Sequence, residues 1–389
     1  MITPVLSGRH FLQIPGPSNI PERVLRAMDR GLIDHRGSQI HGLVDELVTG
    51  LRRVFGTESG TIVLWAGSGN GAWEASLVNT LAPGDRALAF GNGLFSSRYG
   101  DIARKFGVEV DTVDLRWGEA VTPEVIARSL RAQHTAVLLV HNETSTGVTA
   151  DVGAIRTAID ATGHDPLLLV DGASAVGSLP TRFDDWRADV VLTGSQKGLM
   201  TPPGLAICCV SERALERSRT VSTARHFYDW RPFVEAVKGT GFWPATPPTQ
   251  LFFGLREALR MLEEEGLDEV YNRHFRLAEG VRRAVAAWDL ATVCVDPERS
   301  SHTITAVNTD GVSSDEVLRL SEERLNLALG MGLGPYRGRG LRIGHLGSLN
   351  ELEVLATVGG TELALSMAGH PVELGTGVTA AVRWFRERW

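Results

Sequence analysis

One lysine stands in a polar segment between two stretches of mainly apolar residues. The run 188–192 leads into the segment 193–204, which contains Lys197, and the run 205–210 leads out of it. A lysine held between two buried strands loses hydration, so its amine is shifted toward the neutral, nucleophilic form. A neutral amine can condense with an aldehyde. The alternative for a single lysine is a loop position with its charge in water.

A segment of small residues, 66–72, follows an apolar run and precedes a helical pattern. Small residues let the backbone approach an anion, and the free N–H groups of a helix start point toward it. The same letters match a dinucleotide-binding fingerprint, which needs an acidic residue after the second strand. That strand ends in Phe-Gly-Asn-Gly at 90–93, without an acid, so a phosphate site is favoured over a dinucleotide site.

Three further features follow predicted strands. Asp171 ends an apolar run, where a carboxylate needs a cationic or hydrogen-bonding partner. A protonated pyridine nitrogen would be such a partner. The alternative is that Asp171 is the N-cap residue of a helix. The polar loop 141–147 could bind a phenolic oxygen or form local turns. Phe95 could stack on a planar ligand or belong to the core. Together, these features and Lys197 describe a site for pyridoxal 5'-phosphate.

Alternating strand and helix patterns must position these groups. Short apolar runs alternate with helical patterns up to about residue 210, which is typical of an α/β fold whose mainly parallel sheet is sandwiched by helices. Ligands bind at the strand ends of such sheets. After residue 265 the pattern becomes that of a smaller α+β domain. We therefore predict an N-terminal segment (1–20), a large cofactor-binding domain (21–265) and a small C-terminal domain (266–389).

The predicted elements follow from these patterns. The strands are 61–65, 86–90, 108–113, 136–141, 166–170, 189–193, 205–210 and 303–307. The helices include 40–55, 72–81, 96–106, 123–133, 152–162, 249–265, 268–287, 314–325, 351–367 and 377–388.

Composition excludes several classes of function. A net charge of −7 argues against binding to nucleic acid or an anionic membrane. The three cysteines have neither a disulfide framework nor metal-ligand spacing, so we expect no metal site. No signal peptide and no apolar run of about 18 residues is present, which predicts a cytoplasmic protein.

The sequence resembles the class V, fold-type I pyridoxal-phosphate aminotransferases, and within them the branch that uses serine or alanine with glyoxylate. The resemblance runs almost from end to end, and its most specific pieces surround Lys197 and Arg342. The matching pieces are 15–19, 34–37, 69–74, 143–147, 194–204, 246–248 and 341–344.

By position, the resemblance implies a role for each residue of the site. Lys197 would carry the cofactor covalently, and Asp171 would pair with its pyridine nitrogen. Arg342 would hold the substrate carboxylate through its planar, two-pronged guanidinium, with Gly16 as a second substrate contact. The other implied cofactor contacts are Ser68, Gly69 and Asn70 at the phosphate, Phe95 on the ring face, Thr144 and Gln196 near the phenolic oxygen, Trp243, and Thr246 at the neighbouring subunit's phosphate.

Relatives vary between Trp and other residues at the position of Phe95. Arg337 and Arg339 are alternatives to Arg342 for the carboxylate, although only Arg342 lies in an apolar strand context. At one further position the chain departs from the family pattern. Relatives often carry a tyrosine where this chain has Trp243, and an indole lacks the O–H that a tyrosine donates to phosphate.

The resemblance implies a homodimer with active sites at the subunit interface. The expected reaction is a ping-pong transfer of an amino group from a small amino acid, with L-serine as the expected donor, to glyoxylate. Alternatives are transamination from alanine to glyoxylate, transamination of another small 2-oxo acid, a cysteine desulfurase-like lyase, and a cofactor-binding regulator. The lyase would need a mobile cysteine, and the regulator an appended DNA-binding segment.

Overall fold

The structure is a computed structural model that describes residues 8–239 and 243–388. Within these residues the strands are β1 (Phe11–Gln13), β2 (Thr61–Ala66), β3 (Arg86–Gly91), β4 (Glu109–Asp114), β5 (His134–Val140), β6 (Asn142–Glu143), β7 (Val148–Thr149), β8 (Leu167–Asp171), β9 (Val190–Gly194), β10 (Leu205–Val210), β11 (Ala291–Thr292), β12 (Ile304–Asn308), β13 (Leu327–Met331) and β14 (Gly340–Gly344). The helices are α1 (Glu22–Met28), α2 (Ser38–Phe55), α3 (Gly69–Thr80), α4 (Leu94–Lys105), α5 (Pro123–Ser129), α6 (Val152–Ala161), α7 (Glu212–Thr220), α8 (Trp230–Val237), α9 (Thr249–Glu265), α10 (Leu267–Ala287), α11 (Ser314–Leu325), α12 (Glu351–Met367) and α13 (Thr376–Arg386).

A seven-stranded sheet forms the centre of the larger part of the chain. Its strand order is β2-β10-β9-β8-β5-β3-β4. Only β10 runs against its two neighbours among these strands, so the sheet is mainly parallel. Every residue of β8, β9 and β10 is buried, as expected for strands covered on both faces. The seven strands predicted for this region all lie in this sheet, each within two residues of its predicted ends, so the predicted fold class is confirmed.

Helices pack against this sheet and against one another. Helix α3 lies on β9 and β10, and α4 lies on β3 and β5. Helices α9 and α11 have the predicted bounds, whereas α5 ends four residues early, at Ser129. Helices α7 and α8 were not predicted. Their interiors are rich in arginine and aromatic residues, and α8 begins at Trp230, which packs in the core.

A second sheet carries the C-terminal part of the chain, in the order β1-β13-β14-β12-β11. Its edge strand β1 comes from the N-terminal segment, for which no strand was predicted, and pairs in parallel with β13. No strand was predicted at β13, whereas β14 contains the apolar residues around Arg342 that indicate a strand. The N-terminal segment is therefore attached to the C-terminal sheet.

Two main groups of buried apolar residues accompany the two sheets. One extends from Val24 to Val270 and the other from Leu277 to Phe385. The division at residues 265 and 266 stays a prediction, although the two cores change over close to it. Across residues 8–239 and 243–388, none of the helices is both long and apolar enough to span a bilayer.

Candidate active site

A cavity of about 230 Å³ lies at the carboxyl ends of β2, β3, β5, β8 and β9. Ligands bind at this edge of a parallel α/β sheet because the loops after successive strands meet there. Eight predicted site residues line the cavity together: Ser68, Gly69, Asn70, Phe95, Thr144, Asp171, Gln196 and Lys197.

The N-terminus of α3 forms one wall of the cavity. Ser68 is the N-cap residue in extended conformation, and its side chain makes no capping hydrogen bond. The first N–H groups of a helix have no partner within the helix and carry partial positive charge. A side chain added at Gly69 would meet no atom within 4 Å, so the first turn has open space beside it. This wall is suited to an anion such as phosphate.

Asp171 is a buried carboxylate at the end of β8. Its Oδ1 accepts the N–H of Ala173 at 2.8 Å, and no Lys, Arg or His nitrogen of the described chain lies within 4.0 Å of it. Burial raises the pKa of Asp171 to about 6; the Ala173 N–H opposes this rise, and the nearby charge of Glu143 adds to it. A buried acid with so few partners is suited to a cationic N–H group.

Lys197 contributes a buried amine whose contact comes from the N-terminal segment. Its Nζ donates to the carbonyl of Pro15 at 2.6 Å. Burial lowers the pKa of Lys197 to about 8, and the charge of Arg342 acts in the same direction. Gly16 follows at φ +125°, and a Cβ there would overlap the lysine side chain. The opening segment therefore sets the position of the amine.

Two buried polar atoms around the cavity have no hydrogen-bond partner in the described structure. They are Oε1 of Gln196 and Nε1 of Trp73. The indole N–H of Trp73 lowers the pKa of Asp171, although the two side chains do not meet the geometry of a hydrogen bond. The Trp73 ring lies 6.3 Å from that of Phe95, centroid to centroid. Of the two, the Gln196 atom is the one that no group of the described chain addresses.

Four residues that line the cavity were not predicted as site residues: Trp73, Asn142, Ala173 and Ser174. Trp73 lies one helical turn after Gly69, so the 3.6-residue period of α3 could have identified it. Ser174 and Asn142 bind each other, with Asn142 Nδ2 donating to Ser174 Oγ at 2.8 Å. That pairing joins loops 32 residues apart and has no local sequence signal.

Arg342, on β14 of the second sheet, lies beside the cavity rather than among its lining residues and contacts the loop of Thr144. Its Nε donates to the carbonyl of Met331 at 2.8 Å, and Nη1 donates to the carbonyl of Thr144 at 3.2 Å. Burial lowers its pKa to about 10. No carboxylate within residues 8–239 and 243–388 forms an ion pair with it. A largely buried guanidinium without an anionic partner can accept a carboxylate from a ligand.

Two predicted cofactor contacts lie outside this cavity in the single chain. The ring of Trp243 is buried against Phe233 and Phe252, with centroids 6.2 and 5.5 Å away. Thr246 is exposed just before α9. The expected contact of Thr246 with a neighbouring subunit, and the role of Trp243, stay predictions.

The residues of the cavity fit pyridoxal 5'-phosphate group by group. The open N-terminus of α3 suits the phosphate, and Asp171 suits the ring nitrogen. The unpartnered Gln196 atom lies in the wall beside Lys197, whose amine suits the aldehyde. Among the described residues, no group gathers three or more His, Cys, Asp or Glu side chains that could hold a metal ion.

Comparison with known proteins gives the same assignment. The family model described as aminotransferase class-V matches residues 10–334. The serine–glyoxylate aminotransferase of Methylorubrum extorquens is 46% identical over 98% of this chain and 97% of that protein. The serine–glyoxylate aminotransferase of Arabidopsis thaliana is 44% identical over 96% and 94%. The crystal structure of ureidoglycine–glyoxylate aminotransferase from Bacillus subtilis superposes with a TM-score of 0.92 at 25% identity, covering 98% of this chain and 99% of that one.

Proposed function

The chain belongs to the class-V aminotransferase family, and we propose that it transfers the amino group of L-serine to glyoxylate in a ping-pong cycle. It is an aminotransferase, and its cofactor is pyridoxal 5'-phosphate. The observation that carries the proposal is the meeting of the Lys197 amine, the Asp171 carboxylate and the open N-terminus of α3 in one cavity. The choice of serine and glyoxylate rests on the two relatives that share 46% and 44% of their residues with this chain.

In this proposal the cavity residues hold the cofactor at three places. Ser68, Gly69 and Asn70 bind the phosphate. Phe95 packs on the ring face, and Thr144 and Gln196 hydrogen-bond on the side of the phenolic oxygen.

Lys197 and Asp171 perform the proton chemistry. The bound cofactor supplies a ring that accepts the electron pair left when the substrate Cα–H bond breaks. The neutral amine of Lys197, favoured by burial, takes the proton from that Cα. Asp171 keeps a proton on the ring nitrogen because an ionised buried carboxylate stabilises a cationic N–H beside it.

Arg342 and Gly16 bind the substrate in the proposal. The guanidinium of Arg342 takes the carboxylate that donor and acceptor share, since its two described hydrogen bonds go to neutral carbonyl groups. Gly16 leaves room beside the Lys197 amine, where the substrate amino group must arrive. One site then serves both halves of the cycle.

The proposed assembly is a cytoplasmic homodimer with sites at the subunit interface. Its support is the position of Thr246, which is exposed outside the cavity and therefore accessible to a second subunit. Trp243 would act on the same side, through the segment that precedes α9.

A donor and acceptor panel tests the proposal. Each amino acid is mixed with the cofactor-loaded enzyme, and the loss of the absorbance of bound pyridoxal phosphate is recorded before any 2-oxo acid is added. L-serine should react faster than L-alanine and other small amino acids, and glyoxylate should restore the absorbance faster than pyruvate. A faster reaction with alanine would replace the donor by the main alternative. Formation of alanine from L-cysteine, with the sulfur left as a persulfide on a cysteine of the chain, would indicate the lyase. Cys208 and Cys209 are poorly placed for this role because both are buried in β10.

A further inference from the structure

Glu143 is a buried carboxylate beside the active site to which the proposed chemistry assigns no role. Its residue is 1% exposed and ends the short strand β6. In the described part of the chain no Lys, Arg or His nitrogen lies within 4.0 Å of its oxygens. Its partners are instead neutral donors from two segments. A buried charge costs free energy unless it is well hydrogen-bonded, so this arrangement needs a reason.

One carboxylate oxygen binds the start of α4. Oε2 accepts the N–H of Phe95 at 3.0 Å and that of Ser96 at 2.8 Å. The N-cap residue of α4 is Gly93, which has no side chain to bind these groups. A Cβ on Gly93 would overlap the Glu143 side chain, so glycine leaves the room that the carboxylate occupies. Glu143 therefore caps a helix that lies 48 residues earlier in the chain.

The other carboxylate oxygen holds the loop that contains Thr144. Oε1 accepts the N–H of Ser145 at 3.0 Å and its hydroxyl at 2.6 Å. The same hydroxyl oxygen accepts the N–H of Leu94 at 2.9 Å, which gives a second link to α4. Within this loop, the carbonyl of Thr144 accepts a hydrogen bond from Arg342.

These contacts place one negative charge between the residues proposed to hold the cofactor ring and the residue proposed to hold the substrate. Phe95 lies in the first turn of the helix that Glu143 caps, and Thr144 follows Glu143 directly. The charge of Glu143 also favours the protonated form of Arg342. A carboxylate accepts at both ends, whereas an amide of the same shape can accept at only one.

We propose that Glu143 is a positioning residue for amino transfer, whose carboxylate fixes the Phe95 ring on α4 to the loop of Thr144. This inference rests on the proposed function, because it gives Phe95 the ring face of pyridoxal phosphate. It assigns to Glu143 no contact with the cofactor or the substrate.

The test measures cofactor binding rather than turnover. Apoenzyme is titrated with pyridoxal phosphate, and the quench of tryptophan fluorescence and the circular dichroism of bound cofactor are recorded. The variants are Glu143→Gln, Phe95→Ala and the double variant. Glu143→Gln turns an NH₂ group either toward the N–H groups of Phe95 and Ser96 or toward that of Ser145, so at least one buried donor loses its acceptor and Kd should rise roughly tenfold or more. Phe95→Ala should raise Kd by up to roughly tenfold. Because both substitutions act through the Phe95 ring, the Kd of the double variant should stay within about threefold of the Kd of the single variant that binds the cofactor more weakly.

Glu362→Gln is the matched control. Glu362 is 3% exposed and accepts the N–H of Gly377 at 2.6 Å at the start of α13, and Nε1 of Trp288 at 2.8 Å. It is thus a buried carboxylate that caps a helix, but in the core of the C-terminal part. The substitution Glu362→Gln should lower the thermal midpoint and leave the Kd for pyridoxal phosphate and the circular dichroism of bound cofactor unchanged.

The outcomes separate the two proposals. An unchanged Kd in Glu143→Gln, or losses that multiply in the double variant, would overturn the positioning role. If Glu143→Gln does not fold, Ser145→Ala replaces it, because it removes the hydroxyl link to Leu94 and keeps the Glu143 charge. Ser145→Ala should raise Kd less than Glu143→Gln. When it is combined with Phe95→Ala, the Kd of the double variant must again be smaller than the product of the two single effects predicts. A wild-type chain that does not bind pyridoxal phosphate would refute the proposed function itself, and the inference with it.

Discussion

Two buried groups of opposite charge face the same cavity, and their pKa values move toward each other. Burial lowers that of Lys197 to about 8 and raises that of Asp171 to about 6. Between these values Asp171 is ionised while most of the Lys197 amine is protonated. The amine must lose that proton before it can react with an aldehyde.

The rate at which apoenzyme captures pyridoxal phosphate should therefore depend on pH. A lowered lysine pKa means that the reactive neutral form grows as pH rises through about 8 and is nearly complete above it. Capture is measured as cofactor fixed to the chain by borohydride after short incubations. An exposed lysine, with its usual pKa near 10.4, would give a rate that is still rising well above pH 9; that profile would contradict the buried amine.

Arg342→Lys separates substrate binding from cofactor chemistry. Lysine keeps the charge but loses the two-pronged geometry, so KM should rise for both L-serine and glyoxylate, roughly 10- to 100-fold for a lost charge-assisted hydrogen bond. The absorbance of bound cofactor and the thermal midpoint should stay close to wild type. The control is Arg339→Lys, because Arg339 pairs with Asp310 at the exposed end of β14. A lower midpoint with unchanged KM values would make Arg342 a structural residue.

At the scale of elements, the opening segment connects the second sheet to the lysine. Strand β1 pairs with β13, and two residues later Pro15 accepts the hydrogen bond of Lys197. Gly344 of β14 lies against this segment, and a Cβ there would overlap the backbone of Ile14. The segment therefore passes closely over the strand that bears Arg342.

Gly16→Ala should disturb the lysine more than it disturbs the fold. Its Cβ would overlap the Lys197 side chain, and its φ of +125° is strained for alanine. Capture of pyridoxal phosphate should slow at least about tenfold, since about 1.4 kcal/mol of misplacement already gives that factor. Gly8→Ala is the control, because Gly8 has φ +89° and no neighbour within 4 Å of its Cβ. Equal effects of the two changes would show that backbone strain alone is responsible.

The elements that sequence could locate are those with continuous apolar runs. The strands of the large sheet are buried on both faces, so their letters mark them directly. Strands β13 and β14 contain Gly330, Gly340 and Gly344, and glycine weakens the strand signal. The structure explains why glycine occupies positions 330 and 344, since a Cβ at either position would overlap the opening segment. The sequence alone could not indicate this requirement for glycine, because the crowding residues lie more than 300 positions away in the chain.

The same distinction applies to the site. Groups that directly follow strands, such as Asp171 and Lys197, could be predicted, because strand ends are where ligands bind. Glu143 was recognised only as part of a polar loop. Its partners are backbone N–H groups of α4, and backbone partners leave no trace in the letters of a sequence.

At the scale of the whole molecule, one chain supplies a cavity that lacks two predicted cofactor contacts, Trp243 and Thr246. Thr246 is exposed outside the cavity, whereas the lysine, the aspartate and the helix N-terminus lie inside it. An active site shared between two subunits behaves differently in mixing experiments from a site that lies within one subunit. Variants that damage different subunits can then complement each other.

The variants Lys197→Ala and Thr246→Ala should complement each other when their subunits are mixed. Alone, Lys197→Ala cannot fix cofactor with borohydride, and Thr246→Ala should bind it roughly 10- to 100-fold more weakly through the loss of a hydrogen bond to phosphate. In a mixed dimer, the subunit with Thr246→Ala keeps its own Lys197 and receives the intact Thr246 of its partner. Subunits are mixed after mild denaturation and refolding, and borohydride labelling is measured at a cofactor concentration that Thr246→Ala alone cannot use. Labelling should reappear on the Thr246→Ala subunit only. If mixing restores nothing although mixed dimers form, Thr246 does not serve the neighbouring site, and the interface active site is wrong.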